Sequence, residues 1–203
     1  LHEGSHVKLS DFKLLKDLLG YNGKHRLKTL FDFEITDDMA SKGLGFLVLK
    51  DLINIIEDRR IDYHIFTTAP GYQGYYNALY DRYFNAKIID KGLTSGEYRE
   101  EDKESYMFRI CNLTNANKDL DSLKGLKEIY KIINLANISR LKNTEDVAKV
   151  AIEVFKIMDK YIPLPENEDS DCKDGNCDNN QDENQEDSNC SNGNSSGDCK
   201  NPE

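Results

Sequence analysis

The sequence has no segment of the kind that a membrane helix requires and no recognisable targeting signal. No run approaches the ~20 consecutive apolar residues that span a bilayer, and the first residues lack the charged-then-apolar pattern of a signal peptide. We therefore expect no membrane insertion and a cytoplasmic protein. A chain that begins at Leu1 rather than methionine is also consistent with a missing amino-terminal part.

Apolar residues are entirely absent from the last part of the chain. Residues 165–203 contain no Val, Ile, Leu, Met, Ala or aromatic residue. Such a segment cannot bury enough apolar surface to offset the entropy lost when it becomes ordered. We predict a folded domain over residues 1–164 and a disordered, acidic tail rich in Asn, Asp and Cys over residues 165–203.

Basic residues are few relative to acidic ones, but only in the tail. The chain has 37 Asp and Glu against 27 Lys and Arg, a formal net charge of -10. The tail holds 12 of the acidic and 2 of the basic residues, which leaves 25 of each sign in residues 1–164. The overall balance argues against a general nucleic-acid binder, although a neutral body can still carry a local basic face.

Cysteine is scarce in the body, where Cys111 stands alone. The other four, Cys172, Cys177, Cys190 and Cys199, lie in the tail without apolar neighbours that could form a core around a disulfide framework. We interpret them as free thiols. Metal binding by Cys172 and Cys177 is the weaker alternative, because no histidine accompanies them.

Hydrophobic periodicity predicts both helices and strands in the body. Apolar residues recur at helical spacing in residues 10–20, 46–60, 75–84, 120–138 and 144–161. Alternation and β-branched or aromatic content predict strands over residues 27–35, 61–68, 86–89 and 105–111. The predicted fold class is α/β (α+β), with a mixed, mostly antiparallel sheet in which strands 27–35 and 61–68 are parallel.

A glycine-containing turn, Gly43-Leu44-Gly45, lies between the predicted strand 27–35 and the helix that begins at Phe46. Glycines let the backbone approach a ligand closely, and the first amides of a helix have no partner within it. Together with the helix dipole they form a site suited to a pyrophosphate. A turn that merely lets helix and strand pack closely is the alternative.

Residues 27–112 resemble the GNAT superfamily of acyl-CoA-dependent N-acetyltransferases. The run Ile35-Thr-Asp-Asp-Met-Ala-Ser-Lys-Gly-Leu-Gly45 is similar to the end of the family's fourth strand and its pyrophosphate loop, usually Gln/Arg-x-x-Gly-x-Gly/Ala. Residues 46–60 and 61–68 match the following helix and the fifth strand, which splays from the fourth. Two positions depart from the pattern, since Ala40 replaces the family's Gln or Arg and Asp37 its common Pro.

The resemblance implies transfer of an acetyl group from acetyl-CoA to an amine of a small molecule or protein. It implies that Glu34 is the general base and Tyr80 the general acid for the CoA thiolate. A solvated Glu34 and a core aromatic at Tyr80 are the structural alternatives. The residues implied to bind acetyl-CoA are Ile35, Lys42, Gly43, Leu44, Gly45 and Phe46.

Two further interpretations follow from the departures and from the chain's beginning. Ala40 and the acidic pair after Thr36 also suit a non-catalytic binding module of the same fold. Residues 1–26 leave too little room for the family's first three strands, so either an amino-terminal part is missing or helix 10–20 is an insertion. The acetyltransferase hypothesis requires no metal.

The literal motif His2-Glu3-Gly4-Ser5-His6 gives an alternative function, a zinc metallopeptidase. On a helix it places two imidazoles on one face, with the glutamate as base for a zinc-bound water. We considered Glu34 as a third ligand, with Asp38 behind it. Because Gly4 and Ser5 are poor helix formers, a chance match or a terminal loop is the favoured interpretation of the motif.

Overall fold

A computed structural model describes residues 1–165, which form α-helices joined by short connections and one 3-10 helix, Pro70–Tyr72. No β-strand occurs within this range. The α-helices are α1 (His2–Leu9), α2 (Phe12–Leu19), α3 (Gly23–Phe31), α4 (Asp37–Ser41), α5 (Phe46–Thr68), α6 (Gln73–Tyr83), α7 (Lys87–Thr94), α8 (Lys103–Cys111), α9 (Leu126–Ile133), α10 (Leu135–Ile138) and α11 (Thr144–Tyr161).

Helix α5 is the centre of the bundle and packs most extensively against α11. Buried residues recur every three or four positions along its whole length, from Val48 to Ile65. Most are aliphatic, but Glu57 and Arg60 belong to the same buried stripe. Helices α1 and α10 pack against α5 as well, so α5 contacts several shorter helices.

The predicted strand 61–68 is wrong, because these residues are the last eight of α5. The sequence suggests a helix end at Asp58-Arg59-Arg60, where three charges interrupt the apolar stripe. In the structure Arg60 instead points into the core and pairs with Glu57, with Nε and a terminal nitrogen each 2.8 Å from a carboxylate oxygen. Because the charges of Glu57 and Arg60 neutralise each other, both side chains stay on the buried face and the helix continues past Arg60.

The predicted strand 27–35 is also wrong. Its first part belongs to α3, which ends at Phe31, and Asp32 then adopts a left-handed conformation with φ 47°. Phe33 enters the core beyond that turn and is 3% exposed. The apparent alternation of Phe31, Phe33 and Ile35 therefore arises from a helix end followed by an irregular segment.

The remaining two predicted strands are helices too. Residues 86–89 contain the beginning of α7, and residues 105–111 lie within α8, which begins after Asp102. The Asp102 carboxylate accepts a hydrogen bond of 2.7 Å from the Ser105 amide, which fixes the start of α8. The α/β fold class with a mixed sheet is therefore wrong, and so is the resemblance to the GNAT superfamily, because that fold requires a sheet.

Several predicted helices are confirmed. The range 144–161 coincides with α11, and α2 begins after Asp11, whose carboxylate accepts from the Leu14 amide. The range 75–84 corresponds to α6, whereas 120–138 contains the two shorter helices α9 and α10. The predicted tail lies outside the described residues except for Pro165.

No helix within residues 1–165 has both the length and the apolar character needed to cross a membrane.

Candidate metal centre

Two polar pairs face each other where α1 packs on α5. His2 and His6 lie one turn apart on α1, and Asp58 and Asp62 lie one turn apart on α5. Residues four apart share a helix face, so each helix presents both of its side chains to the other. The His6 side chain is 14% exposed and that of Asp58 54%, so the cluster is protected on one side and open to solvent on the other.

Three ligand atoms of this cluster form a compact triangle. Nε2 of His2 lies 3.1 Å from Nε2 of His6. Oδ1 of Asp58 lies 3.2 Å from the His6 nitrogen and 3.8 Å from the His2 nitrogen. Ligand atoms roughly 2.0–2.1 Å from a tetrahedral zinc ion are about 3.3 Å from each other. The triangle therefore has the dimensions of three ligands on one face of a tetrahedral ion.

The other ring nitrogens of both histidines are engaged within the protein. Nδ1 of His2 lies 2.8 Å from Oδ1 of Asp62. Nδ1 of His6 lies 2.9 Å from the hydroxyl of Ser10, the residue that ends α1. Imidazoles that bind metals commonly have such a partner on the second nitrogen. Both rings are therefore held with Nε2 directed toward the same point.

Asp62 continues the network to α6. Its second carboxylate oxygen accepts a hydrogen bond of 2.8 Å from the Tyr80 hydroxyl. Burial, and then the negative charge of Asp62, raise the pKa of Tyr80 well above its ordinary value. The same two causes raise the pKa of Tyr76 to about 12. Both phenols therefore remain protonated at neutral pH and can act as donors toward Asp62.

The carboxyl group of Asp58 has a pKa above its ordinary value. Burial raises the pKa of its carboxyl above the ordinary value, and the neighbouring charge of Asp62 acts in the same direction. The two histidines partly offset this shift. A cation bound at the triangle would favour the ionised carboxylate directly.

A terminal loop, one of the two favoured interpretations of the motif, is wrong, because residues 2–9 form α1. His2 and His6 lie together as the alternative, helical interpretation predicted, but the third group differs from the expected one. Glu34 is exposed in the segment between α3 and α4, and Asp38 is exposed in α4. Among the described residues, the group that lies with the two histidine nitrogens within 4.8 Å is Asp58. Glu3, the predicted base, is exposed on α1.

The residues predicted to bind acetyl-CoA lie around α4 and the start of α5, and their role as a cofactor site stays a prediction. Lys42 directs its ammonium to α11, where it lies 2.7 Å from the Asp159 carbonyl and 2.9 Å from its carboxylate. Leu44 is fully buried and Gly45 caps the start of α5. The remaining predicted positions are Ile35 and Phe46, which pack against the core, and Gly43, which has φ 77°.

A cavity of about 520 Å³ does adjoin the predicted loop, lined by residues 41–43, 101–104 and 162–165. Its lining includes three acidic residues, Glu101, Asp102 and Glu104, together with Lys103. Lys42 pairs with Asp159 and Lys103 with Glu104, so each cation of this lining already has an acidic partner. Such a lining does not favour an anionic pyrophosphate. The roles of Glu34 and Tyr80 in acetyl transfer stay predictions without the fold that suggested them.

Sequence reasoning missed Asp58, Asp62 and Ser10. The spacing of Asp58 and Asp62 was visible, since carboxylates four residues apart on one helix can face a histidine pair with the same spacing. The predicted boundary at Arg60 placed the two residues in different elements and concealed their relation.

Comparison of the chain with protein-family models, with curated proteins and with solved structures finds no match.

Proposed function

We propose that this protein binds a divalent transition metal ion, with zinc as the preferred ion, through His2, His6 and Asp58. The observation that carries the proposal is the triangle of ligand atoms, with sides of 3.1, 3.2 and 3.8 Å. Two imidazoles and one carboxylate form a donor set used by zinc, and also by Fe²⁺. The fourth position would be taken by water.

The position of the site favours a role in fastening α1. Helix α1 has eight residues, and none of them is buried. An isolated helix of this length is marginal in water. Its described polar attachments to α5 are those of His2 and His6 and a bond of 3.0 Å from Arg60 to the Leu9 carbonyl. An ion shared by both helices would hold α1 against α5.

The direct test is metal binding by the full chain in which the four tail cysteines are replaced by serine, so that their thiols do not compete. This protein should bind one equivalent of zinc in calorimetry and retain it through dialysis. His6→Ala removes a metal ligand itself. It should therefore weaken zinc binding by more than the roughly 10- to 100-fold that is typical when a residue hydrogen-bonded to a ligand is lost. Parallel titration with Fe²⁺ under anaerobic conditions measures the preference.

The matched control is His25→Ala, because His25 is exposed on α3 and lies outside the cluster. It should bind zinc as the parent does. A competing explanation is a metal-free cluster in which His6 Nε2 donates a proton to His2 Nε2 or to Asp58. Absence of zinc binding by the parent, or equal binding by His6→Ala, would establish that explanation and refute the proposal.

A second candidate function is hydrolysis at the same ion. It is favoured by the literal His-Glu-x-x-His sequence together with three protein ligands, which leave a position for a reactive water. His2, His6 and Asp58 would hold the ion, which would activate a water toward a peptide carbonyl. Glu3 would accept the proton of the water and return it to the amine that is released when the C–N bond breaks.

For this candidate we expect the zinc-loaded protein to cleave a fluorescent casein substrate. Glu3→Gln should abolish the cleavage while zinc affinity stays unchanged, because Glu3 would act on the water rather than on the ion. Equal cleavage by Glu3→Gln, or none by the parent, would leave binding as the function of the site.

A further inference from the structure

Asp62 occupies a position between α1 and α6 and contacts both. One carboxylate oxygen lies 2.8 Å from His2 Nδ1, and the other accepts the Tyr80 hydroxyl at 2.8 Å. The Asp62 side chain is 17% exposed. Within residues 1–165 no Lys or Arg lies within ion-pair distance of Asp62, although Arg59 lies three residues earlier on α5. Arg59 instead donates to the carbonyls of Ile110 and Cys111.

We infer that Asp62 and Tyr80 are positioning residues of the metal centre, which orient His2 and connect helix α6 to the ion. This inference rests on the proposed function. It extends the site beyond its three ligands to a third helix.

The chemistry of the His2 ring explains the orienting effect. An ionised carboxylate can only accept a hydrogen bond, so the proton of a neutral His2 is placed on Nδ1. Nε2 then carries the lone pair and faces the triangle of ligand atoms. The Ser10 hydroxyl beside His6 can donate or accept, so it does not select a tautomer in this way. Asp62 thus selects the tautomer of His2 that can bind a metal ion through Nε2.

Tyr80 in turn holds Asp62. Rotation of the Asp62 carboxylate away from His2 would break the bond to the Tyr80 hydroxyl, so the phenol favours the orientation that serves His2. No side chain of α6 is fully buried, although Tyr76 and Tyr80 are partly buried. A second side-chain bond to α5 joins Gln73 to the Phe66 carbonyl at 2.8 Å, and Tyr76 also lies close enough to Asp62 for that carboxylate to raise its pKa. The Tyr80–Asp62 bond is therefore one of a small number of described polar attachments of α6 to α5.

Thermodynamic linkage makes the connection reciprocal. If the Tyr80 bond raises metal affinity by some factor, the bound ion must favour the docked Tyr80 by the same factor. Metal binding should thus reduce the local opening of α6 as well as that of α1.

The test compares variants in the full chain with the tail cysteines replaced by serine. Zinc affinity should fall roughly 10- to 100-fold in Asp62→Asn and about 10-fold in Tyr80→Phe. Tyr83→Phe is the matched control, because Tyr83 lies on the same helix but is 60% exposed, and it should bind as the parent does. Circular dichroism establishes that each variant is folded.

Two further measurements separate positioning from simple stabilisation. The visible absorption spectrum of the Co²⁺-loaded protein should change in Asp62→Asn, because an asparagine amide can also donate and no longer selects the Nδ1–H tautomer. Amide hydrogen exchange in α6 should slow by up to about 10-fold when zinc binds the parent, matching the affinity lost in Tyr80→Phe. In Tyr80→Phe the zinc-dependent slowing should disappear.

Each outcome decides between the two proposals. A parent that binds zinc while both variants keep its affinity and spectrum refutes the positioning role and leaves the proposed function standing. Variants that are less stable to unfolding but keep the zinc affinity and the Co²⁺ spectrum of the parent also refute the positioning role. A parent that binds no zinc removes both. If Asp62→Asn does not fold, Tyr80→Phe and the exchange experiment still decide.

Discussion

Arg60→Met should lower the free energy of unfolding by about 3–5 kcal/mol at pH 7, because it leaves Glu57 ionised and unpaired in the core. Glu57 is 2% exposed and Arg60 7%. Besides its two bonds from Arg60, Glu57 accepts one of 3.0 Å from the Thr144 hydroxyl. Urea denaturation monitored by circular dichroism measures the loss.

The matched control is Lys149→Met, which removes one partner of an exposed ion pair with Glu145, also about one helical turn apart. It should cost at most about 0.5 kcal/mol. A double variant, Glu57→Leu with Arg60→Met, should recover most of the loss, since no charge is then left buried. A loss below about 1 kcal/mol in Arg60→Met would contradict the buried ion pair.

The cost of Arg60→Met should also depend on pH. Burial alone would raise the pKa of Glu57, but hydrogen bonding by Arg60, Ser10 and Thr144 and the charge of Arg60 outweigh it and hold this pKa below its ordinary value. In the parent this stabilisation is complete above about pH 4.5 and is lost as the pH falls through the lowered pKa. Without Arg60, burial raises the pKa of Glu57 and favours its neutral form at low pH. The difference between parent and variant should therefore shrink between pH 7 and pH 4.

The Glu57–Arg60 pair also explains why the length of α5 was not predictable from periodicity. A helix signal depends on apolar residues repeating on one face, and here two charged residues occupy that face. Glu57 and Arg60 can both be buried because they pair with each other in the folded core, and sequence spacing alone does not show that pairing. By contrast, α11 has aliphatic residues along its buried face and a capping asparagine, and its range was predicted correctly.

The candidate site was half predictable for a related reason. A spacing of four between His2 and His6 is local information, and the structure confirms that they share a helix face. The contact with Asp58 depends on how α1 packs against α5, and 52 residues separate His6 from Asp58 in the chain. By residue type Glu34 was an equally good metal ligand, so only the tertiary arrangement distinguishes Glu34 from Asp58.

Phe155→Ala should lower the free energy of unfolding by about 3–5 kcal/mol, because it opens a cavity where α11 packs in the core. Phe155 is fully buried, and its ring lies edge-on to that of Phe33 with centroids 5.7 Å apart. For a chain of this size the melting temperature should fall by roughly 6–20 °C. Differential scanning calorimetry and urea denaturation measure the two quantities.

Phe12→Ala is the matched control, since it removes the same atoms from a side chain that is 54% exposed. Its effect should stay within about 0.5 kcal/mol, as for ordinary surface positions. Equal losses in the two variants would mean that the core is not arranged as described.

The Phe155→Ala variant also offers a way to ask whether the metal centre depends on the core. The proposed ligands lie on α1 and α5, whereas Phe155 lies on α11. A ligand that binds only the folded chain, at 100 times its dissociation constant, adds about 2.7 kcal/mol. If site and core are independent, zinc should add this amount equally to the parent and to Phe155→Ala, because effects at independent positions are additive. A smaller gain in the variant would show that the packing of α11 on α5 maintains the geometry of Asp58 and Asp62.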